Sequence, residues 1–182
     1  MPITKISLNN FRCFKNLELS LSPGINFFFG SNGSGKTSIL ESVFIFSSGK
    51  SFKSSNLTSL INYDNDKFIL KGFDNKKGYI VEIEKSKNKT ISISLNNNKT
   101  NTSKLVKEFP CTPIHNNTFS FADASPDFRR KLVDRSIFIA EDNFSKVWFS
   151  FYRSLRQRNF LLKNNRISAV SYTHLTLPTS HC

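Results

Sequence analysis

Acidic residues are scarce in this chain. Its 182 residues hold 13 Asp and Glu against 26 Lys and Arg, a formal net charge of +13. Such an excess favours an anionic partner, nucleic acid first. A composition rich at once in Lys, Asn, Phe and Ile also fits a plain bias with no partner behind it. Cysteine is scarcer still. Cys13, Cys111 and Cys182 stand far apart with no CxxC pair, which excludes a disulfide framework and a cysteine-based zinc site and fits a reducing cytoplasm. No apolar run approaches a membrane span, and Lys5 with residues 9–12 interrupts the start where a secretory signal needs its apolar stretch. No internal repeat is present. His115 has no companion at ligand spacing and reads as a structural histidine. What the chain does have is bulk: hydrophobic residues make up 38% and Phe alone counts 19, enough for the core of one sizeable domain or one and a half small ones.

The most informative stretch is residues 25–38. Gly30, Gly35, Lys36 and Thr37 spell GxxxxGK[ST], the pattern of a phosphate-binding loop. Glycines there let backbone N–H groups turn inward around a phosphate chain where a Cβ would block the approach. Lys36 is expected at the β- and γ-phosphate oxygens, and the Thr37 hydroxyl on Mg²⁺. The candidate nucleotide residues are therefore Gly30, Ser31, Asn32, Gly33, Ser34, Gly35, Lys36, Thr37 and Ser38. Context agrees with the motif. Residues 25–29 are an apolar run fit for a buried strand, and residues 38–46 read as a helix with Ile39, Leu40, Val43, Phe44 and Phe46 apolar. That helix points its positive end at the anion. Arg12, just after the first strand, is read either as a further nucleotide contact or as a surface residue.

Around this centre the period changes along the chain. Residues 3–9 and 15–21 alternate as strands on either side of a turn, and Pro23-Gly24 is a second turn signal. Ser47-Ser48-Gly49 closes the first helix, a basic loop follows at residues 50–53, and residues 56–61 suit one or two helical turns. From Phe68 the period is two. Residues 68–73, 79–85 and 90–95, with a short strand at 99–102, form an antiparallel meander, whose lysines read as a solvated face rather than a DNA groove. Residues 103–109 suit a short helix closed by Pro110, and 111–115 another strand. Ser125-Pro126-Asp127 carries the signs of a helix start: an N-cap, a proline at the first position and an acid in the first turn. A longer helix spans residues 143–165, with Phe144, Val147, Trp148, Phe151, Leu155 and Leu162 as its apolar stripe. Arg158 falls on the apolar side of that helix, so a carboxylate partner is expected, Asp134 first and Glu141 second. The remaining basic residues have two readings, a solvated face or a surface for a phosphate backbone; on the second, Arg129, Arg130, Arg153 and Arg156 are the DNA-binding candidates. Residues 167–182 contain no Lys, Arg, Asp, Glu, Asn, Phe or Gly and no period. They read as a non-native tail, expected to be unpacked.

Several stretches together resemble the RecF family of bacterial DNA replication and repair proteins, relatives of the SMC and ABC-type ATPases. The similarity begins at Ile6-Ser7-Leu8-Asn9-Asn10-Phe11-Arg12 and continues through Ser22-Pro23-Gly24-Ile25-Asn26 and the phosphate loop. Gly49-Lys50-Ser51-Phe52-Lys53, Ser125-Pro126 with Arg129-Arg130-Lys131, and Leu155-Arg156-Gln157-Arg158-Asn159 follow, the last two more particular to the family than the loop itself. Coverage runs to about Arg166. The resemblance implies an α/β fold, part of an ABC-type ATPase head (1–112) carrying the meander, followed by the start of a helical second lobe (113–166). It implies ATP and Mg²⁺ as cofactors, DNA as a partner in replication, recombinational repair and the response to DNA damage, an ATP-dependent homodimer, and other recombination mediators as further partners. No membrane is involved. Two alternatives stay open: the head of another SMC-like or OLD-type protein, and an inactive truncated product. No apolar run here ends in Asp-Asp or Asp-Glu as a Walker B strand, and no Ser-x-Gly-Gln signature is present. The chain therefore looks like the N-terminal half of such a protein, expected to bind ATP without turning it over.

Overall fold

The computed structural model describes residues 3–114 and 125–163, which belong to two separate compact units. The first is built on an antiparallel sheet. β1 (Lys5–Phe11) and β2 (Phe14–Ser20) form a hairpin, and β3 (Lys67–Asp74), β4 (Tyr79–Ser86), β5 (Ser92–Leu95) and β6 (Asn98–Lys99) form the expected meander. The two parts join edge to edge, giving the order β2-β1-β3-β4-β5-β6. In the joint, Ile6 lies opposite Gly72 and Leu8 opposite Leu70. The period of two sends Ile6, Leu8, Phe68, Leu70, Val81, Ile83, Ile93 and Leu95 to one buried face. On the other face the lysines meet carboxylates of neighbouring strands: Lys71–Glu82 at 2.9 Å, Lys67–Glu84 at 3.2 Å and Lys5–Glu18 at 2.8 Å. Pairs this exposed contribute at most about 1 kcal/mol each. They account for the hairpin lysines as a solvated face, as the sequence suggested. At the β3–β4 turn, Lys77 hydrogen-bonds Glu108 at 3.0 Å, and that contact raises the ammonium above its ordinary pKa of 10.5.

The apolar face is covered by α1 (Lys36–Ser48), with α2 (Thr102–Glu108) beside it. Phe46 is fully buried over the sheet, seated where Gly72 leaves room: a Cβ on Gly72 would stand 3.0 Å from Val81 Cγ1 and 3.4 Å from Phe46 Cε1. The helix ends as expected at Gly49, whose left-handed backbone turns its N–H back to the Ile45 carbonyl at 2.8 Å. Its buried side does not coincide with the apolar residues read from the sequence. Leu40 is 52% exposed, while Glu41, Ser42, Ser47 and Ser48 are buried with Ile39, Ile45 and Phe46. Two of the buried hydroxyls are satisfied inside the helix, Ser42 donating to the Ile39 carbonyl and Ser48 to that of Phe44.

One expected strand is missing. Residues 25–29 have no regular structure, and Ile25, Phe27 and Phe29 are 79%, 82% and 93% exposed. Phe28 alone packs against the core. The sequence pattern is that of a strand, but a strand exists through the hydrogen bonds of its neighbours, and no described strand pairs with this one. Residues 111–114 are likewise irregular; His115 and the stretch 167–182 lie outside the described residues.

The second unit is a pair of helices, α3 (Pro126–Ala140) and α4 (Phe144–Lys163). Helix α3 starts as its sequence dictates: the Ser125 hydroxyl accepts from the Phe128 N–H at 3.3 Å, behind Pro126 and Asp127. The pair is tied by Trp148 Nε1, which donates to Asp134 Oδ2 at 2.9 Å. That bond overturns one expectation. Asp134 serves the tryptophan, and Arg158 lies exposed in water. The reason is that neither helix has a buried residue. Two helices alone present one seam, so half of the apolar stripe on α4 stays open, Val147, Phe151 and Leu162 being exposed.

Candidate nucleotide-binding site

The loop ahead of α1 is shaped by its glycines. Gly35 sits at φ +90°, and a Cβ there would fall 2.3 Å from Phe14 Cζ and 2.9 Å from Cys13 Sγ. The β1–β2 turn thus presses on the loop, and only glycine fits between them. Lys36 opens the helix and folds over the loop, its ammonium donating to the carbonyls of Gly30 at 2.8 Å and Ser31 at 2.7 Å. This holds one positive charge beside the loop at the N-terminus of α1, an arrangement suited to a phosphate chain.

An open cavity of about 390 Å³ lies against this loop. Asn32, Gly33, Gly35, Lys36, Thr37 and Ser38 form one wall; Arg12, Cys13 and Lys53 form the other. The fold therefore brings Arg12 to the phosphate loop. Gly30, Ser31 and Ser34 face an adjoining hollow of about 360 Å³ bordered by residues 27–29. Lys53 escaped sequence reasoning. The basic loop at residues 50–53 was visible, but nothing local tied it to the phosphate loop before the fold closed. Among the described residues no carboxylate lines the larger cavity, and no group of three or more His, Cys, Asp or Glu could hold a metal. Thr37, the expected metal ligand, is exposed in the first turn of α1.

Arg12 is fixed at both ends. Its backbone is left-handed, φ 55°. Its N–H donates to the Leu60 carbonyl at 2.7 Å, and its carbonyl accepts from Asn62 Nδ2 at 2.8 Å. Its guanidinium makes a two-point contact with Glu41, Nε to Oε2 and Nη2 to Oε1, each at 3.0 Å. Glu41 is 1% exposed and also accepts from the Ser51 hydroxyl. The four arginines read as DNA candidates are all exposed on α3 and α4, and Arg130 contacts Asp127 at 3.0 Å. Among the described residues no helix is long and apolar enough to cross a membrane.

An antiparallel sheet backed by a helix that springs from a phosphate loop defines a class, and the chain belongs to it: the AAA-domain family model matches residues 5–171. Its relatives there are DNA replication and repair proteins RecF. The chain is 34% identical to RecF of Aliivibrio fischeri strain MJ11, over 97% of its own length and 51% of the relative's. It is 34% identical to RecF of Actinobacillus pleuropneumoniae serotype 5b, over 91% and 47%. The chain thus spans about half the length of the curated relatives it matches. Among solved structures it resembles the recombination mediator protein RecF–ATPrS of the RecFOR pathway, with a TM-score of 0.75, 27% identity, and coverage of 88% of this chain and 44% of that one. An SMC head bound to the winged-helix domain of ScpA shares the fold at a TM-score of 0.58 and 20% identity, over 84% of this chain and 55% of that one. The architecture is the α/β ATPase head that the sequence resemblance implied.

Proposed function

We propose that this chain is the nucleotide-binding part of a RecF-type ATPase of DNA replication and repair. The observation that carries the reading is the cavity where Lys36, the loop and Arg12 converge. Backbone N–H groups of residues 32–37 and the Lys36 ammonium would hold the β- and γ-phosphates of ATP. Thr37 would supply a ligand to Mg²⁺, which neutralises phosphate charge when bound. To do this Lys36 exchanges its bonds to the Gly30 and Ser31 carbonyls for bonds to phosphate. Residues 1–112 then correspond to the first lobe of the head and 113–166 to the start of a helical second lobe, with residues 167–182 contributing nothing. DNA would meet α3 and α4 through Arg129, Arg130, Arg153 and Arg156, by phosphate contacts with little base preference. For the longer protein the reading includes an ATP-dependent homodimer, recombination mediators as partners, and a cytoplasmic setting.

The test is a titration of the chain with labelled ATP and Mg²⁺ beside its Lys36→Ala variant. A charge-assisted bond is worth about 1.5–3 kcal/mol, so affinity should fall by roughly tenfold to a hundredfold. Equal affinity in the two proteins overturns the loop assignment.

A further inference from the structure

We propose that Glu41 is a positioning residue of the nucleotide site, acting through Arg12. The inference rests on the ATP-binding reading and deepens it. Glu41 falls one helical turn after Thr37 on α1, beneath the loop and away from the cavity. A fully buried carboxylate is costly unless it is paired and hydrogen-bonded. Here both oxygens are used. Oε2 accepts a hydrogen bond from Arg12 Nε–H, and Oε1 accepts one from Arg12 Nη2–H and another from the Ser51 hydroxyl.

The side-on contact matters for what remains. It occupies the Nε and Nη2 side of the guanidinium and leaves the Nη1 group and the second Nη2 proton. Arg12 also lines the cavity shared with Lys36 and Thr37, and its side chain keeps 26% exposure. Its free donors therefore belong to the cavity, where an anion takes them. A guanidinium is planar and rigid, so fixing one edge fixes the direction of the other. The left-handed backbone of Arg12, pinned by Leu60 and Asn62, removes the other freedom.

Ser51 extends the arrangement to a second cation. While donating to Glu41, its Oγ accepts from the backbone N–H groups of Lys53 and Ser54, each at 2.9 Å. Lys53 lines the same cavity. One buried carboxylate thus ties together the β1–β2 turn, α1 and the loop after Gly49. A strut that only held these three elements would not need its partner to be an arginine with donors left over.

The experiment is a double-mutant cycle on ATP affinity in the full chain, with Arg12→Ala, Glu41→Gln and the two combined, each variant checked for its melting temperature. Glu41→Gln is expected to weaken ATP on the order of tenfold, the size that neighbours in one network show. In the Arg12→Ala background it should weaken ATP no further. Unchanged affinity in Glu41→Gln, or a full additional loss on top of Arg12→Ala, overturns the proposal. Arg12→Lys serves where Glu41→Gln does not fold, because it leaves the buried residue in place. Lysine keeps the charge but cannot be held from one side, so it should lose nearly as much affinity as alanine; wild-type affinity in Arg12→Lys overturns the proposal. Lys36→Ala separates the two levels. If it leaves ATP affinity unchanged, the phosphate-loop reading fails and the inference with it. If it weakens ATP while Glu41→Gln and Arg12→Lys do not, the inference alone fails.

Discussion

At the scale of single residues, position around the loop decides what each type is for. Gly35 is held at a left-handed φ with Phe14 and Cys13 against the place of a Cβ. Gly35→Ala therefore meets two obstacles, the backbone cost of about 1–2 kcal/mol for a left-handed L-residue and the displacement of Phe14. Urea denaturation should show a loss of at least about 1 kcal/mol, and ATP affinity should drop with it. Gly24→Ala, with nothing within 4 Å of its Cβ, should change neither; equal stability of the Gly35 variant would show that the loop shape is not what glycine provides. Residues at this scale were unevenly legible in the sequence. The loop residues carry their chemistry in a contiguous motif, so they were readable. Arg12 was readable only as one of two alternatives, because the residue that holds it, Glu41, lies 29 residues further along the chain. Lys53 was not readable as a cavity residue, since contacts distant in sequence, the Ser51–Glu41 bond and the Phe52–Phe44 ring contact, bring its loop there.

At the scale of elements, hydrogen-bonded periods were legible and burial was less so. All the meander strands appear near their expected places, because alternation of side chains is a local property. Residues 25–29 have the same local quality, yet form no strand. Strand formation is decided by a partner, and a partner is not written in the segment itself. The apolar stripe of α4 is likewise real as a pattern and half open as a surface, and Arg158, itself exposed, needed no carboxylate. Pairing with carboxylates also separates the two sets of basic residues. Lys67 and Lys71 lie beside Glu84 and Glu82, whereas Arg129, Arg153 and Arg156 stand exposed on α3 and α4. Replacing Arg129, Arg130, Arg153 and Arg156 by Ala should lower DNA affinity and flatten its salt dependence. The slope of log K against log salt should shrink by about 0.9 for each duplex phosphate that the protein no longer neutralises. Lys67→Ala with Lys71→Ala should leave that slope as it was. A fluorescence-anisotropy titration at several salt concentrations measures both, and the opposite ranking would move the DNA surface to the sheet.

At the scale of the whole molecule, the proposed reading gives the site groups to hold a triphosphate and, among the described residues, little of what is needed to cleave one. Phosphoryl transfer depends mostly on positioning and charge: a metal held by a carboxylate as well as by the loop hydroxyl, and a group that orients the attacking water. The cavity offers cations and hydroxyls: Arg12, Lys36 and Lys53, with Thr37 and Ser38. Glu41 is the carboxylate nearest in sequence to the loop, but Arg12 and Ser51 occupy both its oxygens and it is 1% exposed. Glu82 is engaged with Lys71 on the solvated face of the sheet. Neither can serve a water molecule beside the γ-phosphate without breaking the contacts that place it. The 182-residue chain by itself should accordingly bind ATP and fail to hydrolyse it. A phosphate-release assay under the conditions of the binding titration should read no more than the Lys36→Ala variant does. Release above that level, abolished in Lys36→Ala, would overturn this expectation.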